Sequence, residues 1–154
     1  MNQSMVYLGL DVHKETIAVA LAHQDPPAQV ESLGQIVNRP EAVRKLVEKL
    51  RLRHRLQACY EAGPCGYAVY RQLQSMHVDC IVVAPSLVPV RPGDRIKTDR
   101  RDAAKLARLF RSGELTAVWV PGATHEALRN LTRLRACAHH DRTRARHHGA
   151  NSRT

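Results

Sequence analysis

Seven residues near the start of the chain, Val6-Tyr7-Leu8-Gly9-Leu10-Asp11-Val12, are almost continuously apolar and yet contain an acid. A short run of this kind reads as a strand buried within a sheet. A carboxylate in such a strand is costly to bury unless it is paired, protonated or bound to a metal. Residues 16–22 form a second apolar run with β-branched Thr16, Ile17 and Val19, and only His13-Lys14-Glu15 separates the two. So short a link is that of a hairpin, and the two runs are expected as adjacent antiparallel strands. The acid then stands at or near the end of the first strand.

Asp25-Pro26-Pro27 breaks the pattern, and residues 29–37 alternate loosely enough to be a third strand. Pro40 suits the first position of a helix. Val43, Leu46, Val47 and Leu50 give that helix an apolar stripe, which predicts it to run to about His54. Residues 56–60 predict a fourth strand delivering Glu61 to Ala62-Gly63-Pro64. A helix over about residues 65–76 carries Tyr67, Tyr70 and Leu73, and residues 78–84 are a further buried strand. Pro85, Pro89, Pro92 and Gly93 make residues 85–96 a loop, and loops of that length in compact domains are commonly functional.

The loop leads into Lys97-Thr98-Asp99-Arg100-Arg101-Asp102-Ala103, followed by a helical apolar pattern through Phe110 that Gly113 can terminate. Residues 117–120 are short and apolar, and Thr124 can cap a final helix bearing Leu128, Leu131 and Leu134. Beyond Ala138 there is no Leu, Ile, Val, Met or aromatic residue, so residues 139–154 are expected as an exposed basic tail. The element order predicts a mixed α/β sheet flanked by helices over residues 1–122, then a basic helical segment over residues 123–154.

Charge narrows the function. Of 24 Lys and Arg against 14 Asp and Glu, 15 cations and 6 acids lie in residues 91–154, which therefore hold +9 of the net +10. Such a footprint points to nucleic acid, whose binding rests largely on phosphate neutralisation. Aromatic residues make up only 4% of the chain, which argues against base-stacking platforms and for backbone and shape recognition. Cys59, Cys65, Cys80 and Cys137 form no C-x-x-C pair and read as reduced thiols of a cytoplasmic protein. No apolar run approaches the ~20 residues of a membrane span. The pairs His139-His140 and His147-His148 lack further ligands at zinc-site spacing.

Four acids fall at element ends in this scheme: Asp11, Glu61, Asp99 and Asp102. Asp99 and Asp102 are three residues apart and would share one helix face, flanked by Lys97, Arg100, Arg101 and Lys105. Acids are common in first helical turns, and Asp99 could be no more than a cap. Taken together, the four suit Mg²⁺, which prefers carboxylates, retained waters and substrate phosphates. A pair of such ions can activate an attacking oxygen and stabilise a leaving one in phosphodiester cleavage. The surrounding cations are placed to contact a DNA or RNA backbone.

Gly9-Leu10-Asp11-Val12-His13-Lys14, Tyr60-Glu61-Ala62-Gly63 and residues 97–103, in that order, resemble the N-terminal domain of the DEDD transposases of bacterial insertion sequences, relatives of the Piv DNA invertase. The resemblance runs from about Val6 to about Arg146, and its last motif is the most specific. It implies a RuvC-like, RNase H-type fold and an acidic tetrad, Asp11, Glu61, Asp99 and Asp102, that binds Mg²⁺, with Mn²⁺ as a substitute. It also implies DNA strand exchange directed by a structured guide RNA, within a homo-oligomer. Members of that family continue into a second domain thought to supply an attacking serine. This chain ends at Thr154, so an incomplete polypeptide not competent alone is expected.

Two other readings stand beside this one. The first is a non-catalytic DNA- or RNA-binding module that keeps the fold and the basic surface. The second is a fragment of a sugar-kinase or actin-like ATPase, which also begins with a Gly-x-Asp strand and a hairpin. It is weakened because Val12-His13-Lys14 is not the small, glycine-containing turn that lets a backbone approach phosphate.

Overall fold

The computed structural model of the protein describes residues 3–90, 92, 98–122 and 124–136. Strands β1 (Ser4–Val12) and β2 (Thr16–His23) form the expected hairpin, paired antiparallel from Val6↔His23 to Val12↔Ile17. Val6, Leu8 and Leu10 on β1, and every residue from Ile17 to Ala22 on β2, are at most 3% exposed. Burial at successive positions means that both faces of the hairpin are covered, as its continuous apolar runs require.

Strand β3 (Val30–Val37) adds antiparallel to β2 with a register shift between Val19 and Ala20, and its largely exposed side chains mark it as a sheet edge. On the other side of β1, β4 (His54–Glu61) pairs parallel with it, and β5 (Asp79–Val83) pairs parallel with β4. The order is β3-β2-β1-β4-β5. An antiparallel meander of three strands continued by two parallel crossover strands is the RNase H-like arrangement. Residues 117–120 contribute only a bridge, Ala117 opposite Val83.

Helix α1 (Pro40–Arg51) ends before the predicted His54. His54 instead opens β4, where it pairs opposite Ser4, so a ladder with β1 outcompetes another turn of helix. Helix α2 (Ala68–Ser75) is also shorter than its apolar pattern suggested. Val43 and Val47 of α1 and Val69 and Leu73 of α2 are buried. The region predicted as one long loop begins with a 3-10 turn, Pro85–Leu87.

Helix α3 (Asp99–Arg111) lies across β1 and β2. Its Ala103 and Ala107 pack on Ala18, Ala20 and Ala22, while Leu106 and Leu109 join Cys59, Val83 and Val88. Leu106 and Leu109 are 2% and 1% exposed, and each contributes roughly 1.5–3 kcal/mol by leaving water. Gly113 stops the helix as expected: it adopts φ 72°, with Glu114 N–H donating to Leu109 O and Gly113 N–H to Phe110 O.

The chain divides into two compact units, Met1–Trp119 and Val120–Thr154. In the second, residues 124–136 are helical. Thr124 lies inside that helix and does not cap it, and Glu126 N–H donates to Gly122 O. Among the described residues no helix is long and apolar enough to cross a membrane.

Candidate metal centre

The first acid is positioned by sheet register. Gly9 pairs with Cys59 and Leu10 with Tyr60 in the parallel β1–β4 ladder, so Asp11 and Glu61 follow at the C-terminal ends of neighbouring strands. Strand alternation puts both on the same face as Gly9 and Cys59, the face that α3 covers. Nothing but a glycine fits at position 9: a Cβ there would meet the backbone oxygen of Ala103 and lie 2.5 Å from the backbone nitrogen of Ala107. That close approach sets α3 directly over the strand that carries Asp11.

The second acid is positioned by a cap. Thr98, with extended backbone, is the N-cap of α3, and its hydroxyl accepts from the Arg101 N–H at 3.3 Å. Asp99 is therefore the first helical residue, not the cap, and its carboxylate turns toward the sheet. Its placement in the first turn, with Asp102 beyond it, also suits the positive end of the helix dipole.

Asp11 and Asp99 meet at His13. The imidazole Nε2 lies 3.0 Å from Asp11 Oδ2 and 3.4 Å from Asp99 Oδ1. One donor atom from each of the three residues lies within 4.8 Å of the others, a spacing at which they could share one ion. Gln35 of β3 donates its amide N–H to Asp99 Oδ2 at 3.2 Å, so both Asp99 oxygens are engaged. The hairpin link is tied down as well: Asn38 donates its side-chain amide to His13 O at 2.7 Å, and His13 N–H donates to Thr16 O at 2.9 Å.

Burial pushes the Asp11 carboxyl above the usual carboxylate range; His13 opposes the shift, and nearby Asp102 and Asp99 add to it. The hydrogen bond to Asp11 raises His13, helped by the charges of Asp11 and Asp99. Half-buried negative charge, held partly in check by one imidazole, is an environment that a divalent cation would relieve. Oxygen donors are the ones Mg²⁺ and Mn²⁺ accept, and an added imidazole suits first-row transition ions. On donor chemistry and spacing the residues present fit a divalent ion.

Of the sequence-derived set, Asp11 and Asp99 are thus brought together. Asp102 sits one turn along α3, near enough to influence Asp11 but outside the tight cluster, and Glu61 lies outside it too. Arg100 and Arg101 are exposed on the first turn and Lys105 is partly buried. Lys97 lies outside the described residues, as do Cys137 and the pairs His139-His140 and His147-His148. Cys59 and Cys80 are buried, and burial raises both thiols, that of Cys80 to about 12, which fits inert apolar packing.

Sequence reasoning missed His13 and Gln35. His13 did carry a signal, since it stands two residues past Asp11 in a link short enough to fold its ring back over the strand end. Gln35 carried none, because its role depends on the β2–β3 pairing and on where α3 begins.

The transposase family profile of the DEDD, IS110 type matches residues 8–149. The transposase-like protein y4qE of Sinorhizobium fredii is 47% identical over 133 residues, covering 86% of this chain and 34% of that protein. The transposase of the insertion sequence element IS1533 of Leptospira borgpetersenii is 42% identical over 132 residues, covering 84% and 38%. The chain therefore spans little more than a third of the length of these relatives. Among solved structures, Thermus thermophilus RuvC is similar with a TM-score of 0.48 and 14% identity, over 74% of this chain and 100% of that one. With its motifs in order and the profile matched along most of its length, the chain belongs to the IS110-type DEDD transposase family.

Proposed function

We propose that this chain is the N-terminal catalytic part of an insertion-sequence recombinase, in which Asp11, Glu61, Asp99 and Asp102 hold Mg²⁺ for DNA strand cleavage and exchange. The observation that carries this reading is the convergence of Asp11 and Asp99, from distant parts of the sequence, within a donor cluster 4.8 Å across. Glu61 at the adjacent strand end and Asp102 one turn along α3 support it as neighbouring donors.

When bound, Mg²⁺, or Mn²⁺ in its place, supplies Lewis-acid polarisation of the phosphate and lowers the pKa of an attacking oxygen. The protein's own part is to hold carboxylates on rigid elements: two on strand ends, two on the first turns of one helix. Lys97, Arg100, Arg101 and Lys105 would contact backbone phosphates and so fix the position of the DNA rather than its sequence. A structured guide RNA and a homo-oligomer are proposed from the family resemblance, and the +9 charge of residues 91–154 supports a second polyanionic partner. Action in the cytoplasm is part of the same proposal, in keeping with a DNA substrate. Completion of strand exchange is assigned to the longer protein of the family, with its second domain.

Isothermal calorimetry with Mg²⁺ and Mn²⁺ tests the centre. Binding by the wild type that disappears in Asp11→Asn and Asp102→Asn is expected; a wild type that binds neither ion removes the metal-site reading. Incubation with branched DNA then separates catalysis from binding. Retention of DNA and RNA without cutting in Mg²⁺ would favour the binding-module reading.

A further inference from the structure

We infer that His13 is itself a ligand, giving the centre one nitrogen donor and a preference for first-row transition dications over Mg²⁺. The inference rests on the reading that Asp11 and Asp99 hold a metal, and it adds a residue that the acidic tetrad does not contain. Its first support is distance. Donor atoms on opposite sides of an ion with bonds of about 2.1 Å are about 4.2 Å apart, and those on adjacent sites are closer. His13 Nε2 and one oxygen each from Asp11 and Asp99 lie within 4.8 Å of one another, so small side-chain adjustments bring all three to one ion.

The second support is that His13 is not a casual surface side chain, although it is half exposed. Its backbone is held from two directions, by Thr16 across the link and by the Asn38 side chain beyond the end of β3. Its ring is thereby kept over Asp11, and it is the same nitrogen, Nε2, that faces both carboxylates. Gln35 supplies what a ligating carboxylate commonly needs, an outer hydrogen bond that orients Asp99. Imidazole suits transition ions, whereas Mg²⁺ favours carboxylates, carbonyls and water. One nitrogen among oxygens therefore shifts selectivity without excluding Mg²⁺.

The test is pulsed electron paramagnetic resonance of the Mn²⁺-loaded chain, with Mn²⁺ and Mg²⁺ affinities measured alongside. The wild type should show ¹⁴N modulation from a directly bound imidazole. In His13→Ala, Mn²⁺ should still bind through the carboxylates, the modulation should vanish, and the Mn²⁺ to Mg²⁺ preference should fall about tenfold. Bound Mn²⁺ without ¹⁴N modulation in the wild type, or a signal unchanged in His13→Ala, overturns the inference and leaves an all-carboxylate centre. Absence of any Mn²⁺ binding by the wild type overturns the metal-site reading and this inference with it.

Discussion

The α-carbon of Gly9 on β1 faces the backbone of Ala103 on α3 so closely that a methyl group at position 9 would overlap the Ala103 carbonyl oxygen. Ala107 closes the same approach from the next turn. Because the obstacle is helix backbone and not a flexible side chain, it cannot swing aside. Gly9→Ala must therefore lift α3, and with it Asp99, away from Asp11. We expect a loss of about 1–3 kcal/mol in denaturant unfolding, as at other overpacked positions, together with weakened Mn²⁺ binding. Gly113→Ala is the control, since it strains a left-handed residue at the far end of the same helix for about 1 kcal/mol. Its Mn²⁺ affinity should remain that of the wild type. Equal Mn²⁺ affinity in both variants would show that the close approach at Gly9 does not govern the site.

The cap of α3 provides a second handle on the same geometry. Thr98→Ala removes the hydroxyl that accepts from Arg101 N–H and should cost about 1 kcal/mol by thermal or denaturant unfolding. Thr98→Ser should retain most of that stability. As Asp99 is the first helical residue, fraying of this turn should also lower Mn²⁺ affinity in the alanine variant. Unchanged affinity would mean that Gln35 and His13 hold Asp99 without help from the cap.

Arg100 and Arg101 are exposed beside the acids, where they can reach nucleic acid without supporting the core. Replacing both with Ala should change stability by no more than about 0.5 kcal/mol. It should flatten the dependence of log affinity on log salt by about one for each phosphate that the variant leaves unneutralised. Fluorescence anisotropy with labelled duplex DNA over a salt series measures this, and a slope equal to that of the wild type would place the interface elsewhere.

His54, at the start of β4, offers a pH prediction remote from the acids. Burial depresses its pKa below the ordinary 6.5, with His23 and Arg53 adding to the effect, and Ser4 Oγ lies 2.9 Å from its Nδ1. The folded state thus favours the neutral ring. Its contribution is fully present above pH 6.5 and is lost as pH falls through the lower folded value, because the unfolded chain takes up the proton first. His13 is shifted the other way, and its contribution is lost as pH rises through its raised value. Chemical denaturation of wild type and His54→Gln between pH 7.5 and 5 separates the two; the variant should lose less stability on acidification. Parallel curves would refute the assignment.

Much of the fold was legible because its signals are local. Two apolar runs with a short polar link specify a hairpin, Pro40 starts α1, and Gly113 ends α3 through a conformation that glycine adopts without strain. The errors fall where a partner distant in sequence competes with a local preference. His54 continues the periodicity of α1 yet is recruited by Ser4 of β1. Thr124 has the chemistry of a cap but lies within its helix.

The sequence by itself determined which residues could do chemistry: an acid inside an apolar strand, an acid after the fourth strand, and two acids at the start of a helix. Only the tertiary structure decided that Asp11 and Asp99 meet at His13, and that Thr98, not Asp99, caps the helix. The physical reason is that motif spacing constrains neighbours along one element. The distance between elements is set instead by packing, here by a glycine and five alanines that let α3 settle onto the sheet.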